Sequence, residues 1–389
     1  MSVLVAASAV RTCFGDADAT YDALIAGRSG VGPLRHTGVG VTHGYHIDDG
    51  AREPALRAST WLSECVARAV AAAGLRPDAR IVAVVGSGLR ELRAVERYAV
   101  DGAGVAAEHL HFGNAVRTPL PGVTAVHTIV NACSAGGYAL ALGQDLIELG
   151  QADAVVVGGA DSMTESMLAM IGRVADEPTD QIRPFDQDRS GVLLGEGAAA
   201  VVLVPEGRAA APLARLLATG VSCDAVHETA PDVAGIVRAM ADAMARAGRT
   251  AAEVELVFAH GTGTALNDPT ELAALREVWQ APAAGSGAGS GAGVAAGSGW
   301  GPAVTAIKGA IGHTSGASAL HSLAMAILCL RQGLVPPVVG LRKPLPEAEP
   351  LRLVTGSPLA MRPRLVQVDA FGFGGVNAVS LIEPAAGPA

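Results

Sequence analysis

The chain has 389 residues, of which half are apolar but only 3% are aromatic, and 49 are glycine, so a large core of closely packed aliphatic side chains is expected. Charged residues make up 17%, the formal net charge is -9, and no basic run occurs, which argues against a nucleic-acid partner because phosphate binding requires clustered lysine and arginine. No apolar stretch of about 20 residues lacks charges and helix breakers, so we expect no membrane span.

Continuous apolar runs alternate with helical patterns along the chain. The amino-terminal run of ten residues lacks the basic segment of a signal peptide and is interpreted as the first strand. Further strands are predicted at 81–86, 154–158, 198–204 and 256–259. Leucine and alanine at helical spacing predict helices over 136–149 and 322–330. Strands buried on both faces and separated by crossover helices predict parallel β-α-β units.

The five cysteines of the chain show neither CxxC pairing nor metal-ligand spacing. Reduced thiols in the cytoplasm and the absence of a metal site are therefore expected. A segment rich in glycine, alanine and serine occupies about 281–301. Such a segment buries too little apolar surface to offset its ordering entropy, so we expect a flexible surface loop there.

Cys133 is the candidate nucleophile. It follows the apolar stretch 123–130 and precedes a helical pattern, which places its sulfur at a strand-to-helix turn among small residues. A free thiol has a pKa near 8.5, and the positive end of a helix dipole favours the thiolate. The small neighbours leave room for a thioester to approach, so Cys133 is predicted to accept an acyl group.

Two histidines lie in glycine-flanked turns. His260 directly follows the predicted strand 256–259, and His313 precedes a helical pattern. A neutral imidazole donates one N–H, and two such donors on one carbonyl oxygen stabilise the enolate that forms when a carboxylate leaves as carbon dioxide. A metal site made of Cys133 and both histidines is disfavoured, because the spacing is wide and a fourth ligand is missing.

Four motifs together identify a resemblance. They lie at residues 131–137, 260–264, 308–317 and 372–378, and in this order they resemble the β-ketoacyl synthases of the thiolase superfamily. The resemblance implies an α/β fold of five layers, α-β-α-β-α, built from two related thiolase-like halves. Residues 1–205 would form the half that carries the cysteine, and 206–389 the half that carries both histidines. A weak internal repeat agrees with this division, because Cys133 and His313 each open a helix that leads to a valine-rich segment, at 154–158 and 335–339.

The resemblance also implies roles for individual residues. Lys308 would be buried beside the histidines and orient them. The hydroxyls of Thr262 and Thr264 would contact the phosphopantetheine arm of a substrate. The backbone N–H of Phe373 would pair with that of Cys133 as the oxyanion hole, and the ring of Phe373 would gate the acyl pocket.

Some positions depart from the commonest pattern of the family, and others are given structural roles. Asn131 replaces a threonine and Ala319 a glycine, whereas Ser322 stands where many of these enzymes have a glutamate that pairs with the lysine. The last change leaves open how the charge of Lys308 is balanced. Asp268 and Glu271 match carboxylates that brace loops.

The implied activity is that of an acyltransferase of the 3-oxoacyl-[acyl-carrier-protein] synthase type. An acyl group held on Cys133 would condense with malonyl-acyl carrier protein in fatty-acid or type II polyketide biosynthesis, and the composition favours a specialised pathway such as polyene synthesis. No cofactor of its own is implied, because the acyl carrier protein supplies the phosphopantetheine. The chain would form a homodimer, or a heterodimer with a paralogue of the chain-length-factor kind.

Two other functions are compatible with the residues. The chain could be a non-condensing partner subunit of the chain-length-factor kind, although such subunits typically lose the cysteine. It could also be an acyltransferase that uses Cys133 without decarboxylation, which the change at Ser322 keeps open.

Overall fold

A computed structural model of the chain describes residues 2–34, 40–50, 55–174, 179–280, 301–349 and 351–385. The predicted flexible loop at 281–301 lies outside the described residues, apart from its last residue.

The secondary structure alternates strands and helices in chain order. The strands are β1 Val3–Arg11, β2 Gly32–Pro33, β3 His43–Gly44, β4 Ile81–Gly86, β5 Val123–Ile129, β6 Ala154–Asp161, β7 Gly197–Pro205, β8 Ala214–Cys223, β9 Leu256–Phe258, β10 Ala303–Thr305, β11 Leu334–Val335, β12 Arg352–Leu353, β13 Leu359–Ala360, β14 Val366–Gly372 and β15 Val376–Glu383. The helices are α1 Ala17–Ile25, α2 Arg57–Ala73, α3 Leu92–Asp101, α4 Gly113–Arg117, α5 Ala135–Glu148, α6 Glu165–Val174, α7 Val233–Ala247, α8 Asn267–Gln280, α9 Lys308–Ile311 and α10 Ser318–Gln332.

Two groups of five strands have the same topology. Their spatial orders are β5-β4-β6-β7-β1 and β10-β9-β14-β15-β8. In both groups the first three strands are parallel and the fourth is antiparallel to its neighbours. In both groups the chain also passes through the five strand positions in the same order. A short antiparallel contact between β1 and β8 joins the two groups at Val3, Leu4 and Val5.

Helices cover both faces of each strand group. Helices α5 and α10 contact each other and lie between the groups, since α5 packs on β4, β6 and β8 while α10 packs on β14, β7 and β1. Outside them, α2 covers β1, β6 and β7, and α7 covers β8 and β15 beside α8. Successive side chains of a strand point to opposite faces of the sheet. In β4, Val82 and Val84 therefore join the central core, while Ala83 and Val85 face α2. The predicted fold class, five layers built from two related units, is confirmed.

The internal repeat does not extend to the second valine-rich segment, because 335–339 does not occupy the position of β6 in the second strand group. The valine-rich segment 335–339 contributes only Val335 to a strand, and this strand pairs with β13 outside the large sheet. Pro336 and Pro337 follow it and have no N–H for a strand ladder. The true counterpart is β14, about thirty residues further on. The division at 205 and 206 stays a prediction, and it falls between the end of β7 and the start of β8.

Candidate active site

Cys133 lies in a single 3₁₀ turn, Ala132–Ser134, that connects β5 to α5. The residue before it, Ala132, has a φ of 58°, in the left-handed region that a residue with a Cβ seldom adopts. This sharp turn brings the thiol of Cys133 to the amino end of α5, as the sequence predicts.

The acidity of Cys133 differs from the sequence expectation. Burial raises the pKa of its thiol to about 11, against the opposing influence of the Lys308 cation. The charge of Asp161 also raises this pKa, whereas hydrogen bonds from the backbone N–H groups of Cys133 and Phe373 lower it. The backbone N–H groups thus act in the direction that the sequence predicts, but desolvation outweighs them and the net pKa is raised.

His260 is fixed by its backbone and by one ring nitrogen. Its N–H and that of Gly261 donate to the two carboxylate oxygens of Glu271, at 2.6 and 2.8 Å. The ring Nδ1 accepts the backbone N–H of Phe371 at 3.3 Å. Since a backbone N–H can only donate, Nδ1 carries the lone pair and the proton of the neutral ring lies on Nε2.

His313 adopts the same tautomer by a different contact. Its Nδ1 accepts the backbone N–H of Ser315 at 3.2 Å, which leaves the ring proton on Nε2. Its backbone N–H donates to the carbonyl of Leu193 and its carbonyl accepts from the N–H of Gly195, both at 3.0 Å. The ring centroids of His313 and His260 are 5.4 Å apart and the rings are nearly perpendicular.

Both imidazoles are neutral donors. Burial lowers the pKa of His260 and of His313 well below the ordinary value, and the nearby Lys308 cation lowers both further. The arrangement thus supplies two N–H groups, each on an Nε2, without a positive charge on either ring.

Lys308 lies buried at the first position of α9. Its ammonium donates to the carbonyl of His260, and its Nζ lies 3.3 Å from the Nδ1 of the same ring. Burial lowers the pKa of Lys308 to about 8, and the charges of Glu271 and Cys133 oppose this shift. The structure thus brings the predicted lysine and His260 into contact.

Acidic residues outside position 322 influence the charge of Lys308. Ser322 is buried on α10 and has no carboxylate. The carboxylates of Glu271, Asp268 and Asp369 all raise the pKa of Lys308 and stabilise its cation.

Thr262 and Thr264 face each other in the loop after His260. Their hydroxyls lie 2.9 Å apart, and the backbone N–H of Thr262 donates to Asp268 at 3.1 Å. Asp268 also accepts the N–H of Gly263. The carboxylates of Asp268 and Glu271 therefore brace this loop through its backbone. The contact of the two threonines with phosphopantetheine stays a prediction.

Phe373 begins the turn between β14 and β15. The two following residues, Gly374 and Gly375, have φ values of 83° and 72°, which a glycine adopts without strain. A Cβ built on Gly372 would lie 3.3 Å from the backbone nitrogen of Cys133, so the two segments run side by side. The ring of Phe373 is 49% exposed. The structure brings the N–H groups of Cys133 and Phe373 to one sulfur, and their role as an oxyanion hole stays a prediction.

Sequence reasoning missed Asp161, which ends β6. Its buried carboxylate accepts hydrogen bonds from the hydroxyl of Ser87 and from the N–H groups of Gly88, Leu89 and Gly316, at 2.7 to 3.0 Å. It ties the loop after β4 to the turn that follows His313. An acidic residue at the end of an otherwise apolar strand was the signal in the sequence.

The described part of the chain contains neither a cluster of metal-ligating side chains nor a helix that could span a membrane. Its histidine, cysteine, aspartate and glutamate side chains form no group of three that could hold a metal ion. None of its helices combines the length and the apolar character needed to cross a membrane.

Comparison with known families gives a match over most of the chain. The model of the β-ketoacyl synthase N-terminal domain matches residues 46–209, and that of the C-terminal domain matches 213–342. The chain belongs to the β-ketoacyl synthase family. The family resemblance stated from the four motifs is therefore confirmed.

Curated relatives are about one third identical to this chain over the aligned residues. Nodulation protein E of Rhizobium meliloti is 32% identical over 269 residues, which is 68% of this chain and 61% of that protein. The 3-oxoacyl-[acyl-carrier-protein] synthase 2 of Rhizobium meliloti (strain 1021) is 35% identical over 270 residues, which is 65% of this chain and 59% of that protein. The chain thus spans less than two thirds of the length of these curated relatives.

Solved structures support the same fold. The ishigamide ketosynthase/chain length factor superposes with a TM-score of 0.86 at 28% identity and covers 99% of both chains. A β-ketoacyl synthase from Burkholderia phymatum STM815 superposes with a TM-score of 0.82 at 23% identity, covering 99% of this chain and 100% of that one.

Proposed function

We propose that the chain catalyses the decarboxylative condensation of an acyl group, held as a thioester on Cys133, with malonyl-acyl carrier protein. The pair of neutral imidazoles carries this proposal. His260 and His313 each accept a backbone N–H at Nδ1, which leaves two Nε2–H donors on rings 5.4 Å apart. Two uncharged donors of this kind stabilise an enolate oxygen and cannot act as bases through the same nitrogens.

In the first half-reaction, the sulfur of Cys133 attacks the carbonyl carbon of an acyl thioester. The N–H groups of Cys133 and Phe373 bind the oxyanion that forms. The bond to the phosphopantetheine sulfur breaks, and that sulfur leaves as a thiol with the proton that the Cys133 thiol gives up. The cation of Lys308 favours the thiolate of Cys133 that this step requires.

In the second half-reaction, malonyl-acyl carrier protein occupies the site. Its terminal carbon–carbon bond breaks to release carbon dioxide, and the electron pair moves onto the thioester oxygen as an enolate. Donation from His260 and His313 stabilises this oxygen. The enolate carbon then attacks the acyl thioester, the β-ketoacyl product forms, and Cys133 leaves as the thiolate.

We propose acyl carrier proteins as the partners that deliver both substrates, each with its own phosphopantetheine. One structure with the same fold is described as a type II PKS acyl-carrier protein in complex with its ketosynthase bound to the hexaketide, at 19% identity and a TM-score of 0.84. We place the reaction in fatty-acid or type II polyketide biosynthesis and in the cytoplasm. The subunit partner would be a second copy or a chain-length-factor-like paralogue.

The test combines intact-protein mass with product analysis. Wild type, Cys133→Ala and the matched control Cys223→Ala, which removes an exposed thiol, are mixed with acyl- and malonyl-acyl carrier proteins. We expect an acyl adduct, carbon dioxide and a β-ketoacyl product in wild type and the control, and no adduct in Cys133→Ala. An adduct without carbon dioxide would favour the acyltransferase alternative. The absence of an adduct in all three would favour the non-condensing subunit.

A further inference from the structure

His321 lies on α10, eight residues after His313, and its ring is fully engaged in the protein interior. It is 1% exposed. Its Nε2 lies 3.1 Å from the carbonyl oxygen of Ala198 and 3.3 Å from that of Arg11. Because carbonyl oxygens only accept, the ring proton lies on Nε2, and Nδ1 is free to accept.

The Nδ1 of His321 meets the hydroxyl of Thr314 at 2.9 Å. With the ring proton on Nε2, this hydroxyl must be the donor. Thr314 is 1% exposed and directly follows His313 in the chain. The imidazole therefore connects the turn after His313 to the carbonyls of β1 and β7, which belong to the other strand group.

The neighbouring backbone makes room for this ring. A Cβ built on Gly197, the first residue of β7, would lie 2.5 Å from the Cε1 atom of His321 and 3.1 Å from the Cγ2 atom of Thr314. A side chain at Gly197 would thus displace both partners of the contact. Burial also lowers the pKa of His321 to about 4, so the ring is neutral at physiological pH.

The contact bears directly on the orientation of His313. The peptide plane between Thr314 and Ser315 carries the N–H that donates to the Nδ1 of His313 at 3.2 Å. Ser315 has a φ of 50°, a conformation that needs support from its surroundings. One support is Asp161, which accepts the N–H of Gly316 at 2.7 Å. The other is the hydroxyl of Thr314 on His321.

We propose that His321 and Thr314 form a positioning pair, which holds the peptide N–H that fixes the ring orientation and tautomer of His313. The inference rests on the proposed function, in which the Nε2–H of His313 stabilises the enolate. Neither residue touches the reacting atoms. Their removal should therefore slow decarboxylation and leave the acylation of Cys133, which uses other N–H groups, nearly unchanged.

The test uses variants that separate the two ends of the His321 ring. Thr314→Val removes the hydroxyl at nearly constant shape, and His321→Gln keeps a donor near Nε2 but no acceptor near Nδ1. His321→Asn keeps an acceptor near Nδ1. The matched control is Thr219→Val, since Thr219 is also buried and its hydroxyl contacts Ser380 at 3.0 Å, on the ladder between β8 and β15.

We expect Thr314→Val and His321→Gln to decarboxylate malonyl-acyl carrier protein about tenfold more slowly, as for a misplaced oxyanion donor. Acylation of Cys133 should stay within about threefold of wild type in both. His321→Asn should lie closer to wild type than His321→Gln, and Thr219→Val should match wild type in both reactions. When Thr314 and His321 are both replaced, their effects on the decarboxylation rate should not add, because the two residues act through one contact.

Nitrogen NMR of histidine-labelled protein gives a readout that does not depend on activity. The signals of His313, assigned by their loss in His313→Asn, should report the Nε2–H tautomer in wild type and a mixture in Thr314→Val. Wild-type decarboxylation together with unchanged His313 signals in Thr314→Val would overturn the inference, even if its melting temperature fell. If wild type itself releases no carbon dioxide, the proposed function fails, whereas the NMR comparison still decides the role of the pair.

Discussion

Cys133 is held mainly as the thiol at neutral pH, because burial raises its pKa to about 11. The cation of Lys308 is the largest influence in the other direction. Burial lowers the pKa of Lys308 itself to about 8, so its charge is present at neutral pH and disappears in mildly alkaline solution. The reactivity of the cysteine should therefore depend on the lysine most strongly below pH 8.

Replacement of this cation should make Cys133 less reactive. We expect Lys308→Met to slow alkylation of Cys133 by iodoacetamide below pH 8, by about tenfold for each unit by which the pKa rises. The difference from wild type should shrink above pH 8, where Lys308 loses its proton. The measurement is the rate of adduct formation on Cys133 by mass spectrometry across pH 6 to 10. Lys343→Met, at an exposed lysine 2.9 Å from Asp188, is the control, and equal profiles for all three proteins would contradict the argument.

Glu91 is a buried carboxylic acid whose titration should be visible in stability. Its Oε1 accepts the N–H of Ser59 in the first turn of α2 at 2.6 Å, while its Oε2 has no hydrogen-bond partner among the described residues. Burial raises the pKa from 4.5 to about 7. The folded state thus binds more protons than the unfolded state between these values. The stability from this group is complete below about pH 4.5 and is lost as the pH rises through about 7.

A neutral isostere should remove this pH dependence. In Glu91→Gln the free energy of unfolding, relative to wild type, should rise between pH 4.5 and 8 by up to ~3 kcal/mol, which corresponds to a shift of about two pKa units. Urea denaturation at pH 5 and pH 8 measures it. Glu96→Gln is the control, since Glu96 also accepts N–H groups at a helix start but is only half-buried. The same difference between Glu91→Gln and wild type at both pH values would contradict the prediction.

At the scale of elements, the start of α5 is packed against the turn that carries His313. A Cβ built on Gly136 would lie 2.6 Å from the carbonyl oxygen of Gly316. That oxygen belongs to a backbone held by Asp161 and cannot move away easily. Glycine is therefore required at position 136 because the backbone of Gly316 lies so close to it, and not because of an unusual backbone conformation.

Adding a methyl group at Gly136 should measurably destabilise the folded protein. We expect Gly136→Ala to lower the free energy of unfolding by ~1–3 kcal/mol through overpacking. Gly113→Ala is the control, because Gly113 also lies in a helix but a Cβ there meets nothing within 4 Å. That control should be neutral or stabilising by up to ~1 kcal/mol. Equal stabilities of the two variants in urea would refute the packing argument.

The strands that the sequence predicted are those with unbroken apolar runs. The bounds of β4 were correct, and β6 was found but extends three residues further, to Asp161. In contrast, β8, β14 and β15 contain buried polar residues that interrupt the pattern. Two of these side chains, Thr219 on β8 and Ser380 on β15, pair with each other across the ladder at 3.0 Å. Such pairing between distant residues is not visible in a local pattern.

The candidate site could likewise be predicted only in part from local sequence patterns. The motifs predicted that Cys133, His260, His313 and Lys308 share a site, because the corresponding residues share one in the enzymes that the chain resembles. The sequence did not reveal the donor tautomers, which depend on backbone N–H groups such as that of Phe371, 111 residues from His260. It also did not reveal the sign of the Cys133 pKa shift, since burial in the folded chain decides it.

At the scale of the whole molecule, β5 is one of the two edge strands of the large sheet in the described part of the chain, and β12 is the other. Within the part of the chain that the structure describes, β5 pairs with β4 on one side only. Thr124, His127 and the following Val130 are exposed along this edge. An edge strand that is not protected by charge or proline favours pairing with another chain. In two copies related by a two-fold axis, the β5 strand of one copy would pair with the β5 strand of the other.

We therefore expect the chain to sediment as a dimer of 38.9 kDa subunits. Thr124→Lys combined with His127→Lys should shift it to the monomer, because like charges would face each other where the two edges pair. Ala273→Lys combined with Gln280→Lys adds the same residues at exposed positions of α8 and should leave the dimer intact. Sedimentation velocity distinguishes these outcomes. A wild-type monomer at every concentration would contradict a homodimer. A dimer that forms only after a chain-length-factor-like paralogue is added, and that the β5 lysine variant fails to form, would identify β5 as the edge that pairs with that paralogue.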